Sequence, residues 1–261
     1  MRKLATAMIG LIGWATLLSN GASAMQSGAQ SGAQSGAQSP AAVVDDRTEA
    51  NVVWRVDAAV QRSLQESRRR SGAVATTVSR AANWWGGTGV IVFAAILWLG
   101  GRALGKTQVA RIGLRGAEGI AVASALSGIT KGLAGRARPF IATGEPWQWD
   151  FNHGWSDARY FSMPSGHTTA TFAFAVAAMI AAWNYRRIGG RVFGVGCVAS
   201  ALGVGFARMY ADQHWLSDVV VAALLGTITS IALARVHART PGAAYHRVML
   251  GTSADIVAPP A

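Results

Sequence analysis

The sequence contains a single cysteine, Cys197, and half as many acidic residues as basic ones, 12 against 24. One thiol excludes an internal disulfide and any zinc cluster built from cysteines; inside its apolar run, Cys197 reads as a small buried residue. Charge of either sign is scarce, 14% of 261 residues, while 51% are hydrophobic. That balance fits one large soluble domain or a small polytopic membrane protein. Long apolar runs are also lacking. Gly86 to Gly101, preceded by the interfacial pair Trp84-Trp85, is charge-free but shorter than the ~20 residues of a membrane span. Ala103 and Leu104 extend it if Arg102 snorkels. The shortage of acid leaves a net charge of +12, which calls for an anionic partner such as phospholipid head groups or phosphorylated substrates. The arginines are dispersed between apolar runs and no nucleic-acid motif appears, so a nucleic-acid partner is not expected.

What the chain does have is concentrated between Lys131 and Asp218. Three clusters read Lys131-Gly-Leu-Ala-Gly-Arg-Ala-Arg138-Pro139, Pro164-Ser165-Gly166-His167 and Arg208-Met-Tyr-Ala-Asp-Gln-His214-Trp-Leu-Ser-Asp218. With a helix starting near His214, that residue and Asp218 are four apart on one face, about 6 Å along the axis. The carboxylate can then accept a proton from one ring nitrogen and leave the other's lone pair as a nucleophile. A phosphate ester in transfer spreads negative charge over its oxygens, so catalysis is mostly positioning and electrostatic stabilisation. Lys131, Arg138 and Arg208 supply that charge. Ser165 and the backbone N–H groups of Gly166 and His167, at a helix start, add donors for the same anion. His167 is the natural general acid for the departing alcohol. No metal-ligand cluster accompanies these residues, so neither a metal nor a cofactor is expected.

The spacing Lys-x6-Arg-Pro, Pro-Ser-Gly-His, Arg-x5-His-x3-Asp resembles the type-2 phosphatidic acid phosphatase superfamily, which includes bacterial acid phosphatases and vanadium haloperoxidases. The resemblance covers roughly residues 120 to 235, and three spaced motifs in the right order make it specific. It implies a phosphohistidine nucleophile at His214, its orienting acid at Asp218 and the proton donor at His167. Phosphate binding would fall to Lys131, Arg138, Ser165, Gly166 and Arg208. One departure is Ala207, where the family pattern usually has Ser; the missing hydroxyl removes a secondary contact and leaves the core roles intact.

The remainder of the chain divides by composition. Residues 1–24 combine Arg2 and Lys3, an apolar run and Ala22-Ser23-Ala24, the pattern of a signal peptide or of an uncleaved first membrane helix. Residues 25–44 hold a Ser-Gly-Ala-Gln repeat with nothing to bury, expected to be a disordered linker. Residues 45–83 form a basic helical segment in which Val53, Val56, Val60 and Leu64 keep helical spacing; it lies on anionic lipid or docks on the domain. Residues 84–240 make the membrane-embedded domain, with Gly113 to Thr130, Gly166 to Trp183, Gly189 to Ala207 and Trp215 to Ala234 as further apolar segments, and 241–261 is a tail. The fold expected is an all-α polytopic bundle of five or six helices.

Gly100-Gly-Arg-Ala-Leu-Gly105-Lys106-Thr107 satisfies a phosphate-loop pattern but lacks the preceding strand that a nucleotide site needs. The aromatic residues between Phe140 and Phe161 suggest a belt at the membrane surface and a lip that selects what lies behind the phosphate. His153 reads as solvated, and His237 and His246 as satisfied structural residues. If the clusters share one membrane face, the short loops bearing Lys106, Arg111, Arg115, Arg186, Arg187, Arg191, Arg235 and Arg239 fall on the other, cytoplasmic side. The site would then face the periplasm or exterior of a bacterial-type inner membrane. The leading function is a phosphatase acting on a lipid phosphate or isoprenoid diphosphate. Alternatives are a secreted acid phosphatase on small esters and a vanadium haloperoxidase.

Overall fold

The computed structural model describes residues 51–70, 73–142, 145–183, 188–240 and 249–250. The signal-peptide segment, the repeat linker, His246 and most of the tail lie outside the described residues. Among the described residues seven α-helical segments follow one another: α1 Val52–Arg70, α2 Ala73–Trp84, α3 Val90–Ala103, α4 Thr107–Ala134, α5 Gly166–Trp183, α6 Ile188–Tyr210 and α7 Leu216–Arg239. A π-helical turn, Trp85–Gly89, joins α2 to α3 without a break, so six continuous helices result. No strand forms among the described residues, only isolated bridges from Arg136 to Trp149 and Phe161.

Helix α5 stands at the centre, against α4, α6 and α7. Its alanines and threonines permit this: the small side chains let neighbouring helices approach closely, and the hydroxyls bond within the helix. Thr169 Oγ1 donates to the Ser165 carbonyl (3.0 Å) and Thr171 Oγ1 to that of His167 (2.9 Å). Val90, Ala94, Ile120, Ala170, Phe174 and Ala178 form the largest apolar cluster around it. Among the described residues four helical stretches are long and apolar enough to cross a membrane: Thr76–Ala103, Gly166–Trp183, Ile188–Tyr210 and Leu216–Arg239. Large apolar residues such as Ile96, Ile129, Leu202, Leu224 and Ile228 remain exposed along the bundle. Together these features mark a membrane protein, whose outer surface meets lipid instead of water.

Several elements differ from the sequence expectation. The first span is longer than Gly86 to Gly101, because the π-turn carries helix through Trp84-Trp85 instead of starting after it. Helix α4 is long, 28 residues, but is not among the four apolar stretches, since Arg111, Arg115 and Glu118 lie on it. Glu118 is partnered, by Arg115 at 3.2 Å and by His237 Nε2 at 2.8 Å, as an acid within a helix bundle requires. Gly100–Thr107 spans the end of α3, a turn and the start of α4, with no strand nearby to make a nucleotide loop.

Helix α1 docks through a mainly polar face, with Val60 and Leu64 of the valine–leucine stripe half-buried. Val52, Val53 and Val56 are exposed, and the buried residues are Asp57, Ala58 and Gln61. A polar face docks because the surface beneath it, at the ends of α6 and α7, is itself polar.

Candidate active site

The three sequence clusters meet at one end of the bundle. Lys131 closes α4, and Gly135 caps that helix with a left-handed φ of 56°, a conformation that glycine adopts without Cβ strain. The chain then reverses across the helix end. Asp150 N donates to the Gly135 carbonyl (2.9 Å), Asn152 N to that of Leu133 (3.0 Å) and Ser162 N to that of Arg136 (3.1 Å). Ser165, Gly166 and His167 start α5, Arg208 ends α6, and Asp218 lies in the first turn of α7. Ser165 is tied to α7 by its N–H on the Asp218 carbonyl (3.2 Å). A Cβ built on Gly166 would stand 3.4 Å from Lys131 Cε. Lys131, Arg138 and Arg208 all act electrostatically on both His214 and His167.

His214 is buried, and its Nδ1 lies 2.7 Å from the Ser162 carbonyl. A carbonyl only accepts, so Nδ1 carries the proton and Nε2 the lone pair. Asp218 Oδ2 is 3.9 Å from Nδ1, beyond hydrogen-bond range. The direct carboxylate–imidazole bond read from the i, i+4 spacing is thus replaced by a backbone carbonyl. Asp218 is occupied elsewhere: Oδ1 accepts from Arg136 Nη1 (2.6 Å), and Oδ2 accepts from Ser162 Oγ (2.5 Å) and from Trp215 N (2.9 Å). It caps α7 and reaches His214 through Ser162, whose carbonyl orients the ring. Burial, reinforced by Lys131, Arg138 and Arg208, holds the imidazole well below the usual histidine range against the opposing pull of the Ser162 bond. His214 is therefore a neutral, buried base with one nitrogen unprotonated.

The cations differ in what they leave open. Lys131 Nζ donates to the Phe161 carbonyl (2.8 Å). Arg138 uses Nε on the Ala158 carbonyl (3.0 Å) and Nη1 on Gln213 Oε1 (2.6 Å); burial lowers its pKa to about 10, opposed by Asp218. Arg208 Nη1 meets Asn83 Oδ1 on α2, Nη2 lies 3.5 Å from Gln213 Oε1, and Nε is buried without a partner among the described residues. A buried guanidinium N–H with no acceptor beside two further cations marks a place where an oxyanion completes the structure. Gln213, accepting from two arginines, holds like charges side by side. Sequence reasoning missed Gln213, Asn83 and Ser162, because their roles depend on neighbours 75, 125 and 52 positions away.

The π-turn forms one wall. A Cβ on Gly87 would stand 3.1 Å from His167 Nε2, and one on Gly86 3.1 Å from His167 Cβ and 2.6 Å from Val204 Cγ1. The two glycines therefore let backbone lie directly against the His167 ring, the kind of place where π-turns recur. Of the aromatic residues between Phe140 and Phe161, Phe140, Phe151 and Trp155 are exposed. His153 is part-exposed beside Asp150 (3.4 Å) and Asp157 (3.9 Å). No group of three His, Cys, Asp or Glu side chains able to hold a metal forms among the described residues.

A membrane helix bundle with a neutral histidine in a cup of cations defines the class, a protein equipped to handle an anionic ester at the end of its helices. Residues 114–241 match the model of the PAP2 superfamily, in agreement with the resemblance to the type-2 phosphatidic acid phosphatase superfamily that the three motifs carry. No curated protein and no solved structure matches the chain. That match supports a phosphatase at the level of reaction class.

Proposed function

We propose that the protein removes phosphate from a membrane lipid phosphate or an isoprenoid diphosphate through a phosphohistidine on His214. Lys131, Arg138 and Arg208 hold the phosphate oxygens, with Ser165 and the N–H groups of Gly166 and His167 as further donors. His214 Nε2 forms a bond to phosphorus while the bond to the leaving oxygen breaks, and His167 gives that oxygen its proton. In the second half His167 takes a proton from water, the hydroxide attacks phosphorus, and the P–N bond returns its electrons to His214. Asp218, held by Arg136 and linked to the ring through Ser162, keeps the nucleophile oriented.

The observation that carries this reading is the tautomer of His214: Nδ1 is committed to a carbonyl at 2.7 Å, so the unprotonated nitrogen is Nε2, in a neighbourhood of three cations. A lipid substrate is favoured over a small soluble ester by the four apolar stretches and by exposed Phe140, Phe151 and Trp155 near the site. The basic residues Lys106, Arg111, Arg191, Arg235 and Arg239 gather at the opposite helix ends, which by the positive-inside tendency directs the site to the periplasm or exterior.

The test is an assay of the purified protein, in EDTA, against phosphatidic acid, phosphatidylglycerol phosphate, undecaprenyl diphosphate and a soluble aryl phosphate. A lipid should be hydrolysed at least about tenfold more efficiently than the aryl phosphate, since contacts behind the phosphate are made only by a lipid. Equal efficiency on all four would remove the lipid assignment, and bromide oxidation dependent on added vanadate would replace it.

A further inference from the structure

Asp57 belongs to α1, before the segment that matches the family, yet it is only 1% exposed. Its Oδ1 accepts the backbone N–H of Ser217 (2.8 Å), and its Oδ2 accepts from Ser217 Oγ (2.5 Å) and Arg136 Nη2 (2.8 Å). Arg136 carries the link onward through Nη1 to Asp218 Oδ1 (2.6 Å) and to Ser217 Oγ (2.7 Å). Its remaining donors go to the Pro146 carbonyl, from Nε at 3.1 Å and Nη2 at 2.8 Å. The guanidinium also lies over the Trp149 and Trp215 rings, 5.1 and 5.6 Å from their centroids. From Asp218 the contacts continue through Ser162 to Nδ1 of His214. The series joins α1 to the histidine through groups shielded from water.

The same helix grips the other side of His214. Gln61 Nε2 and Arg68 Nη2 bond Asp212, Gln65 Nε2 reaches its Oδ1 (3.1 Å), and Arg68 Nη1 lies 3.4 Å from the Tyr210 carbonyl. Asp212 sits in the turn between α6 and α7 with φ of 57°, two residues before the histidine. The two grips hold the turn that carries His214 from both ends.

A carboxylate is retained at such burial only with partners that compensate it. Here one guanidinium lies between two carboxylates, leaving a net negative charge behind an imidazole that turns cationic when phosphorylated. We propose that Asp57 is a positioning residue for His214, acting through Arg136 and Ser217 to hold Asp218, Ser162 and the first turn of α7 in register with the nucleophile. The inference rests on His214 being that nucleophile, as argued under Proposed function.

The test uses the full-length protein in membranes and in detergent, assayed on short-chain phosphatidic acid and on an aryl phosphate across pH. Wild type is compared with Asp57→Asn and His214→Ala. Asp57→Asn should lower kcat about 10- to 100-fold, the range found when supporting partners of a site are lost, with KM changed less than about threefold. The acid limb of its pH profile should move to lower pH, because less negative charge remains to favour the protonated ring. Wild-type kcat and an unmoved limb, whatever happens to the melting temperature, would overturn the positioning role. Activity in His214→Ala would instead overturn the nucleophile assignment, so the two failures are distinct. Where Asp57→Asn does not accumulate, Ser217→Ala removes the hydroxyl that joins Asp57 to Arg136; a kcat loss of about 3- to 10-fold supports the role and an unchanged kcat refutes it.

Discussion

Arg136 and Arg208 are both buried guanidiniums from the family segment, and they do opposite things with their donors. Arg136 directs every N–H at the protein: two carboxylates, a hydroxyl and the Pro146 carbonyl. Arg208 keeps Nε without a partner among the described residues. One arginine assembles the layer behind the site, and the other keeps a donor open, which the proposed function gives to the phosphate. A binding cation is recognised by what it leaves unpaired more than by its charge or burial.

That comparison can be broken most sharply by His214→Ala, which removes the atom both layers serve. Turnover should fall at least about 10³-fold with the protein still folded; substantial activity would detach both arginines from the chemistry. Arg208→Ala should accumulate normally and lose about 10²- to 10³-fold in kcat/KM, as when one donor to a developing oxyanion is removed. Arg136→Ala should behave differently, leaving Asp57 and Asp218 buried without their cation at about 3–5 kcal/mol of stability. Little folded protein should then be recovered, as measured by detergent-solution size exclusion and thermal melting. Equal folding of the two variants would erase the distinction.

A smaller effect is expected at the wall. Gly87→Ala places a methyl carbon where only 3.1 Å separates it from His167 Nε2, and kcat should drop about tenfold through displacement of the proton donor. Wild-type kcat would show that the π-turn is mere packing. The pH profile sharpens the comparison further. Since burial and three cations keep His214 neutral, the proposed nucleophile loses its lone pair only when pH falls through a value well below 6.5, and activity should persist through mildly acidic pH. An acid limb at the ordinary histidine value would mean that the cup does not surround this ring.

The cup itself was legible in the sequence. Lys131, Arg138, His167, Arg208, His214 and Asp218 are polar residues at the ends of apolar segments, where burial without a purpose is costly. The supporting layer was not. Asp57 lies in a stretch without a motif, and its partners are 79 and 160 positions away. One sign was available: Asp57 falls at helical spacing between Val53 and Val60, an acid on the stripe taken to be apolar. The stripe alone left docking on the domain and lying on lipid both open; the helix docks through Asp57, Ala58 and Gln61, because a polar surface selects a polar face. The i, i+4 spacing of His214 and Asp218 likewise brought the two close but could not reveal that Ser162 takes the proton and Arg136 the carboxylate. Helix existence followed from apolar content, whereas continuity through Trp84-Trp85 depended on a π-turn that no periodicity announces.

Quenching the full-length enzyme during turnover of a substrate carrying radiolabelled phosphate, then mapping the label by mass spectrometry, tests the central claim directly. The expected result is an acid-labile phosphate on the peptide containing His214, absent from His214→Ala. Label on any other side chain, or undiminished turnover by His214→Ala, would contradict it.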